Sequence, residues 1–232
     1  MRIMLSLRIA LIAAALAAGS ASGQAQATGG AGARAVRQTP AQDTIDARVR
    51  RFLEANRRDW RDMNVPAADG QRLHDLVLQN RYTRALEIGT STGHSAIWIA
   101  WALSKTGGRL ITVEIDEGRY REALRNFREA GLADFIDARM ADAHELVPRL
   151  AGPFDFVFVD ADKEWYANYF RAVYPKLAVD GCFTAHNVSG RRAGWVGDFL
   201  SALDATPGLE TTVVGRGGSG LSVSYKRTAT AR

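Results

Sequence analysis

Two carboxylates and an ammonium group follow a strongly apolar stretch in the middle of the chain. Residues 154–159, Phe-Asp-Phe-Val-Phe-Val, are succeeded by Asp160, Asp162 and Lys163. Such an apolar run is typical of a strand that is buried on both faces of a parallel sheet. Ligands of open α/β sheets bind at the carboxyl ends of the strands, where these charged side chains would emerge. The pattern therefore predicts a reaction site that contains two acids and a base.

A glycine-containing turn lies upstream, at residues 87–95 (Glu-Ile-Gly-Thr-Ser-Thr-Gly-His-Ser). Glycines let the backbone approach a ligand closely, and the N-terminus of the following helix favours an anion or a polar group. The dinucleotide fingerprint G-x-G-x-x-G is absent, which counts against a NAD enzyme. Glu114 ends the next apolar strand, where an acid accepts hydrogen bonds from ribose hydroxyls in Rossmann-like sites. Together, the turn and Glu114 favour a nucleoside-bearing cofactor over a turn without a ligand.

A regular framework is needed to position these groups. Strands alternate with helices between residues 85 and 205, which indicates a three-layer α/β fold with a mostly parallel sheet. The last two strands have no helix between them, so they are predicted to form a hairpin with one antiparallel strand. The predicted helices are 44–62 (capped by Asp43), 69–80, 95–103, 117–130, 143–150, 163–177 and 195–205, and the strands are 85–88, 109–114, 135–139, 154–159, 181–185, 210–214 and 221–226.

Composition is ordinary for a globular protein and predicts one domain over residues 43–228. The net charge of the 232 residues is only +5. Basic clusters at 48–51 and 57–58 alternate with apolar residues as in an amphipathic helix, so no nucleic-acid partner is expected. Cys182 is the only cysteine, which excludes an intramolecular disulfide, and its apolar neighbours indicate a core thiol.

The N-terminus resembles an export signal. Residues 1–27 combine two early arginines, an apolar core at 9–18 and the small-x-small sequence Ala-Gln-Ala of a cleavage site at 25–27. The core is too short for a comfortable transmembrane helix, so the mature chain is expected to be periplasmic or secreted, without a transmembrane span. Residues 28–42 are predicted to be a flexible linker. An uncleaved membrane anchor and a cytoplasmic chain with a misplaced start codon are the alternatives.

Five segments keep the order and spacing of one enzyme family. They are residues 63–71 (MNVPAADGQ), 87–95, 113–116 (VEID), 141–143 (ADA) and 159–166 (VDADKEWY). On these motifs the chain resembles the class I S-adenosylmethionine-dependent O-methyltransferases of the catechol and caffeoyl-CoA O-methyltransferase family. The resemblance implies a seven-stranded Rossmann-like methyltransferase fold, S-adenosylmethionine as cofactor, a homodimer, and methyl transfer to a hydroxyl of a small aromatic acceptor.

The resemblance also implies roles for individual residues. Lys163 would be the general base and Asp160 a metal-binding carboxylate, since a metal lowers the pKa of a hydroxyl while a base removes its proton. Glu114 would hold the ribose. The other cofactor residues implied are Glu87, Gly89, Thr90 and Ser95 around the methionine part with Val65 nearby, Asp142 and Ala143 at the adenine, and Asp162 close to the cofactor amino group.

One position departs from the family pattern. An Asp-Asn pair is expected after the next strand, but this chain has His186 and Asn187. Imidazole replaces a charged oxygen ligand, so binding of Mg²⁺ or Ca²⁺ should weaken. A softer ion such as Mn²⁺, Fe²⁺ or Zn²⁺, held by Asp160, His186 and Asn187, is one expectation. The other is a metal-free site in which His186 acts as the base.

Two other functions stay open. The same fold and cofactor would serve methylation of a modified RNA nucleoside, although no basic tract indicates RNA binding. A module that binds the cofactor without catalysis would suit His186 and also the predicted export, because S-adenosylmethionine is made in the cytoplasm.

The remaining histidines and aromatic residues carry weaker signals. His94 lies in the glycine turn, where it could contact the cofactor, whereas His74 and His144 fit ordinary helix positions. Trp165 and Tyr166 begin the helix after the charged turn. Core packing is the default for them, and a wall of the acceptor pocket is the alternative.

Overall fold

The computed structural model describes residues 44–60, 63–189, 193–215 and 218–228. The predicted signal peptide at 1–27 and the linker at 28–42 lie outside these residues and stay predictions. Among the residues described, no helix combines the length and the apolar character needed to cross a membrane.

Helices and strands alternate along the described chain as the sequence predicts. Three short 3-10 turns, at Ala133–Phe135, Lys163–Trp165 and Tyr174–Lys176, join some of them. The helices are α1 (Ile45–Ala55), α2 (Ala67–Asn80), α3 (His94–Thr106), α4 (Glu117–Ala130), α5 (Ala143–Arg149), α6 (Tyr166–Val173) and α7 (Gly194–Asp204), and the strands are β1 (Arg84–Ile88), β2 (Arg109–Glu114), β3 (Ile136–Met140), β4 (Phe154–Val159), β5 (Leu177–His186), β6 (Leu209–Val214) and β7 (Leu221–Lys226).

The strands described form one seven-stranded sheet in the order β3-β2-β1-β4-β5-β7-β6. The pairs from β3 to β5 are parallel, and β7 runs antiparallel to both β5 and β6. This confirms the α/β, Rossmann-like fold with a mostly parallel sheet and one antiparallel strand in a C-terminal hairpin. The strand order reverses between β1 and β4, and ligands of such sheets bind at this switch point.

Strand β4 is buried on both faces, as its apolar run predicts. Phe156 and Phe158 pack in a core with residues of α1 to α4, whereas Phe154, Val157 and Val159 pack in a second core with residues of α5 to α7. Burying one such side chain contributes about 1.5–3 kcal/mol. The two cores hold β4 from both sides and thereby fix the position of the charged residues that follow it.

Helix α1 is shorter than predicted. Thr44 is its N-cap, and the Thr44 hydroxyl accepts a hydrogen bond of 3.2 Å from the backbone N–H of Ala47. Asn56 ends the helix by donating from its side-chain amide to the carbonyl oxygen of Phe52 at 2.8 Å. The predicted cap, Asp43, lies outside the described residues.

The helix predicted over residues 163–177 is also wrong in its bounds. Only Tyr166–Val173 is α-helical, and Leu177 already begins β5, where it pairs with Phe154. The reason is Pro175, which lacks the N–H donor that would continue the helix, so the chain leaves α6 through the 3-10 turn at Tyr174–Lys176. The early start makes β5 ten residues long.

Gly70 in α2 lies directly against α3, and a Cβ atom added there would overlap the indole ring of Trp98. We expect Gly70→Ala to lower the free energy of unfolding by about 1–3 kcal/mol through overpacking. An open helix position would instead gain up to about 1 kcal/mol from the same change. Urea denaturation followed by circular dichroism measures the difference.

The control is Gly118→Ala in the first turn of α4. Gly118 is exposed, and the nearest atom to an added Cβ belongs to the side chain of Asp116, at 3.2 Å. Equal stability of Gly70→Ala and the wild type would contradict the close α2–α3 packing.

Candidate active site

A cavity of about 730 Å³ opens at the carboxyl edge of the sheet, beside the switch point between β1 and β4. Val65, Glu87, Thr90 and Ser95, which were predicted to surround the cofactor, are buried and do not line it. The predicted site residues that do line the cavity are Gly89, Glu114, Asp142, Ala143, Asp160, Asp162, Lys163, His186 and Asn187. The structure thus brings together side chains that lie almost 100 residues apart in the sequence.

Gly89 brings the turn after β1 against the end of β4. Its φ angle is +99°, and a Cβ atom would lie 2.8 Å from the carbonyl oxygen of Asp160. Only glycine fits a backbone of this conformation at this distance. The turn therefore provides a wall of exposed backbone next to the charged residues, which is the kind of surface that a ligand can approach closely.

The buried residues behind the turn form a hydrogen-bonded chain. The hydroxyl groups of Thr90 and Thr112 are hydrogen-bonded, with their oxygens 2.5 Å apart. The Thr112 hydroxyl also donates to the carboxyl group of Glu87 at 2.5 Å. Burial raises the pKa of Glu87 to about 8, although hydrogen bonds from Ser95 and Thr112 oppose the shift. These side chains support the turn from inside the protein and do not reach the cavity.

His94 supports the turn in the same way and does not line the cavity. Its Nδ1 atom lies 2.8 Å from the carbonyl oxygen of Val65, and the indole N–H of Trp98 donates to its Nε2 atom at 3.0 Å. Burial lowers the pKa of His94 to about 4, so the ring is neutral. The ring also stacks on Trp60, with centroids 4.5 Å apart. His94 fastens the segment before α2 to the start of α3.

Glu114 presents a carboxylate that the backbone holds in place. Its Oε2 atom accepts from the N–H of Ser91 at 2.7 Å, and its Oε1 atom accepts from the N–H groups of Ile115 and Asp116 at 3.1 and 3.0 Å. A carboxylate is an acceptor only, and each oxygen has two lone pairs. The one remaining acceptor site of Glu114, on Oε2, suits a hydroxyl donor in the cavity, such as one from a ribose.

The structure corrects the interpretation of His144 as an ordinary helix residue, since it lines the cavity. Its backbone N–H donates to Oδ1 of Asp142 at 2.8 Å, and its Nε2 atom lies 3.2 Å from Oδ2 of Asp162. Its ring stacks on that of Trp165, with centroids 3.7 Å apart. The only signal in the sequence was its place next to Asp142 and Ala143. His144 and Trp165 form a flat surface between the two capping aspartates.

The predicted base and acid are in direct contact. Lys163 donates from its Nζ atom to Oδ1 of Asp160 at 2.5 Å and to the hydroxyl of Tyr166 at 3.1 Å. Burial raises the pKa of Tyr166 well above its usual range, and the nearby charge of Asp160 adds to the shift, so the phenol stays protonated. Lysine has three N–H donors, and these contacts use two of them.

His186 lies between two carboxylates. Its Nδ1 atom is 3.0 Å from Oδ2 of Asp160, and its Nε2 atom is 3.2 Å from Oδ2 of Asp69. Burial lowers the pKa of His186, but the hydrogen bonds and charges of Asp160 and Asp69 outweigh it, and the net shift is upward. Arg72 contacts the other oxygen of Asp69 at 2.5 Å. Asp69 is a site residue that the sequence did not single out.

These residues do not fit the predicted metal site. Both oxygens of Asp160 and both ring nitrogens of His186 already have partners within the protein. A cation held by Asp160, His186 and Asn187 would have to displace Lys163 or break a contact of the imidazole. In the part of the chain that the structure describes, no three His, Cys, Asp or Glu side chains are grouped to hold a metal. The metal stays a prediction that this geometry counts against.

The fold is that of a Rossmann-like methyltransferase, and its cavity is lined by a glycine turn, a strand-end acid and the Lys163–Asp160 pair. A family model described as O-methyltransferase matches residues 39–205, which is more than half of the chain. The chain therefore belongs to the O-methyltransferase family.

Individual relatives agree with this assignment. A catechol O-methyltransferase from Niastella koreensis is 46% identical over 113 residues, which cover 47% of this chain and 51% of that protein. Caffeoyl-CoA O-methyltransferase 1 from Eucalyptus globulus is 32% identical over 151 residues, covering 63% of this chain and 59% of that protein. The chain thus spans between about half and three fifths of the length of these curated relatives.

A solved structure extends the similarity to three dimensions. The O-methyltransferase TomG from Streptomyces achromogenes, involved in tomaymycin synthesis and crystallised in complex with S-adenosylmethionine (SAM), superposes with a TM-score of 0.67 at 29% identity. The match covers 78% of this chain and 89% of that chain.

The raised pKa of Glu87 predicts a pH-dependent stability. The folded protein holds this proton up to about pH 8, whereas the unfolded chain releases it near 4.5. Stability from Glu87 is therefore fully present below pH 4.5 and is lost as the pH rises to 8. In urea denaturation, the free energy of unfolding of the wild type should fall relative to that of Glu87→Gln by about 1.4 kcal/mol for each pH unit of increase across this window.

The control for this experiment is Glu122→Gln on the exposed face of α4. Its stability curve should run parallel to that of the wild type. A constant difference between Glu87→Gln and the wild type from pH 5 to 8 would show that Glu87 is ionised in the folded protein.

Proposed function

We propose that this chain is an S-adenosylmethionine-dependent O-methyltransferase that methylates a hydroxyl of a small aromatic acceptor. One observation carries the proposal: Glu114 and the Lys163–Asp160 pair line the same cavity at the sheet edge. A carboxylate suited to a ribose hydroxyl and a proposed base thus line one open cavity. The catechol and caffeoyl-CoA O-methyltransferases among the relatives support an aromatic hydroxyl as the acceptor group.

The size of the cavity supports a small acceptor. Its volume of about 730 Å³ lies within the range of roughly 300–1,000 Å³ that is usual for small-molecule sites. A nucleoside cofactor and a single aromatic ring suit such a space, whereas a folded RNA would need a basic surface outside it.

The cofactor half of the site is formed by the turn, Glu114 and the surface around His144. Exposed backbone at Gly89 lets a ligand approach closely. The fixed carboxylate of Glu114 would accept from the ribose, and the ring of His144, which lines the cavity and stacks on Trp165, would offer a flat face to the adenine. Asp162 would pair with the amino group of the methionine part.

The acceptor half is formed around Lys163. When bound, the cofactor supplies an electrophilic methyl group on a sulfonium. Once its ammonium has released a proton to solvent, Lys163 would take the proton of the acceptor hydroxyl and again become an ammonium paired with Asp160. The hydroxyl oxygen forms the new bond to the methyl carbon while the carbon–sulfur bond breaks, which yields a methyl ether and S-adenosylhomocysteine.

Replacing Lys163 by Ala should lower turnover of a catechol by about 10²–10⁴-fold because the base is lost. Cofactor affinity should stay the same, since the base contacts the acceptor. Turnover is followed by the release of S-adenosylhomocysteine, and binding by calorimetry. The neighbouring Glu164→Ala is the control because Glu164 is exposed and does not line the cavity, and it should keep full turnover. Unchanged turnover in Lys163→Ala would remove Lys163 as the base.

Glu114→Gln should weaken S-adenosylmethionine binding by about 10–100-fold, because hydrogen bonds to a charged acceptor are worth about 1.5–3 kcal/mol. Calorimetric titration with S-adenosylhomocysteine measures the loss without turnover. The matched control is Glu117→Gln, an exposed acid in the first turn of α4. Equal affinities of the two variants would argue against a ribose contact at Glu114.

A further inference from the structure

The neighbours of residue 186 decide what type of side chain can stand there. Asp160 faces this position from the end of β4 at 3.0 Å, and Asp69 faces it from α2 at 3.2 Å. Both aspartates are largely buried, with side-chain exposures of 10% and 12%. An aspartate at 186 would therefore put three carboxylates together away from bulk water. Lys163 and Arg72 offset two of these three charges, so the third carboxylate would need an added cation or a proton.

The imidazole of His186 changes this requirement. It contacts one oxygen of each aspartate, and it does so with both ring nitrogens. Lys163 and Arg72 occupy the remaining oxygens, on Asp160 and Asp69 respectively. Every carboxylate oxygen of this cluster thus has a nitrogen partner supplied by the chain itself. The cluster has the charges and the hydrogen bonds that a metal centre would otherwise provide.

We infer that the Asp69–His186–Asp160 cluster takes the place of a divalent cation, so that methyl transfer in this protein is independent of metal. This inference rests on the proposed function and deepens it. Lys163 is then the group that meets the acceptor oxygen, and Asp160 holds Lys163 in place. Asp69 is a positioning residue, because it acts on Asp160 through His186.

Burial defines what His186 does in this cluster. Its side chain is only 5% exposed, and both nitrogens are engaged. The ring cannot take a proton from an acceptor without giving up Asp160 or Asp69. His186 is therefore the fixed link between the two aspartates, and the base is Lys163. This distinguishes the cluster from a metal-free site in which the histidine itself is the base.

Binding of Mn²⁺ to the full chain with S-adenosylhomocysteine tests the inference directly, read from the loss of the free-ion electron paramagnetic resonance signal. The wild type should bind Mn²⁺ about 100-fold more weakly than His186→Asp, which restores an all-oxygen set with Asp160 and Asn187. His186→Asn is the matched control, because it also removes the imidazole but adds no charge, and it should stay as weak as the wild type.

Turnover supplies the second measurement. Excess chelator should leave the wild-type rate unchanged, whereas any activity of His186→Asp should require added Mn²⁺. One Mn²⁺ bound per wild-type chain, or a wild-type rate that falls in chelator and returns with Mn²⁺, would overturn the inference. A folded His186→Asp that binds no more Mn²⁺ than the wild type would overturn it as well. If His186→Asp does not fold, Mn²⁺ binding to the wild type still tests the inference.

Asp69→Asn tests the positioning role. It should lower kcat about tenfold, as loss of a residue that orients the base would, and leave the KM for the acceptor and the affinity for S-adenosylhomocysteine unchanged, because Asp69 does not line the cavity. Asp75→Asn, the same change further along α2, should keep the wild-type kcat. An equal kcat in both variants would remove Asp69 from the cluster. A complete lack of methyl transfer by a chain that binds the cofactor would refute the proposed function, and Mn²⁺ binding would still test the metal-free cluster.

Discussion

The close approach of two backbones at the switch point of the sheet determines where everything else in the site lies. Gly89 follows β1 and sits so near the carbonyl of Asp160 that no side chain fits between them. The N–H of Asp160 in turn donates to the carbonyl of Ile88 at 2.9 Å, so β4 stays paired with β1 up to its charged end. The glycine turn and the Lys163–Asp160 pair therefore share one rigid edge, which two apolar cores hold from opposite sides of the sheet.

The two carboxylate oxygens of Asp160 contact groups with different environments. Oδ1 faces Lys163, which is partly exposed to the cavity, and Oδ2 faces His186, which is buried. One oxygen thus orients a group that can reach an acceptor, and the other anchors the carboxylate to the interior. A carboxylate held at both oxygens has little freedom to turn, and pre-organisation of this kind is what positions a base for catalysis.

Much of the framework was predictable because its elements carry their own signals. The bounds of β2, α4, β4 and β7 agree with the structure to the residue, since their apolar periods and caps are local. The ends of α1 and α6 were wrong, because a side-chain cap at Asn56 and the Tyr174-Pro175 step override helix periodicity. Within the site, the position of Asp160 and Lys163 at the end of an apolar strand was enough to indicate a reaction site, whereas their roles as metal ligand and base came from the family resemblance.

The contacts around Asp160 and Lys163 could not be predicted from the sequence alone. Asp69 meets His186 across 117 positions of the chain, and the contact depends on how α2 packs against α3 at Gly70. His144 was expected to be an ordinary helix residue, because its contacts with Trp165 and Asp162 come from a different segment. His94 stood where it could contact the cofactor, yet its ring packs inside the protein, against a carbonyl and two indoles.

The contacts by which His94 fastens the segment before α2 to the start of α3 have a consequence for ligand binding at the site. The segment that it holds continues into the cavity wall at Met63 and Asn64, and the side chain of Asn64 also donates to Thr92 in the turn at 2.8 Å. The wall at Met63 and Asn64 and the glycine turn are thereby joined by direct contacts. If a ligand ordered the turn, the wall would be ordered with it, and a second ligand would then bind at a lower entropic cost. Such a coupling would be reciprocal, so each ligand would strengthen the binding of the other by the same factor.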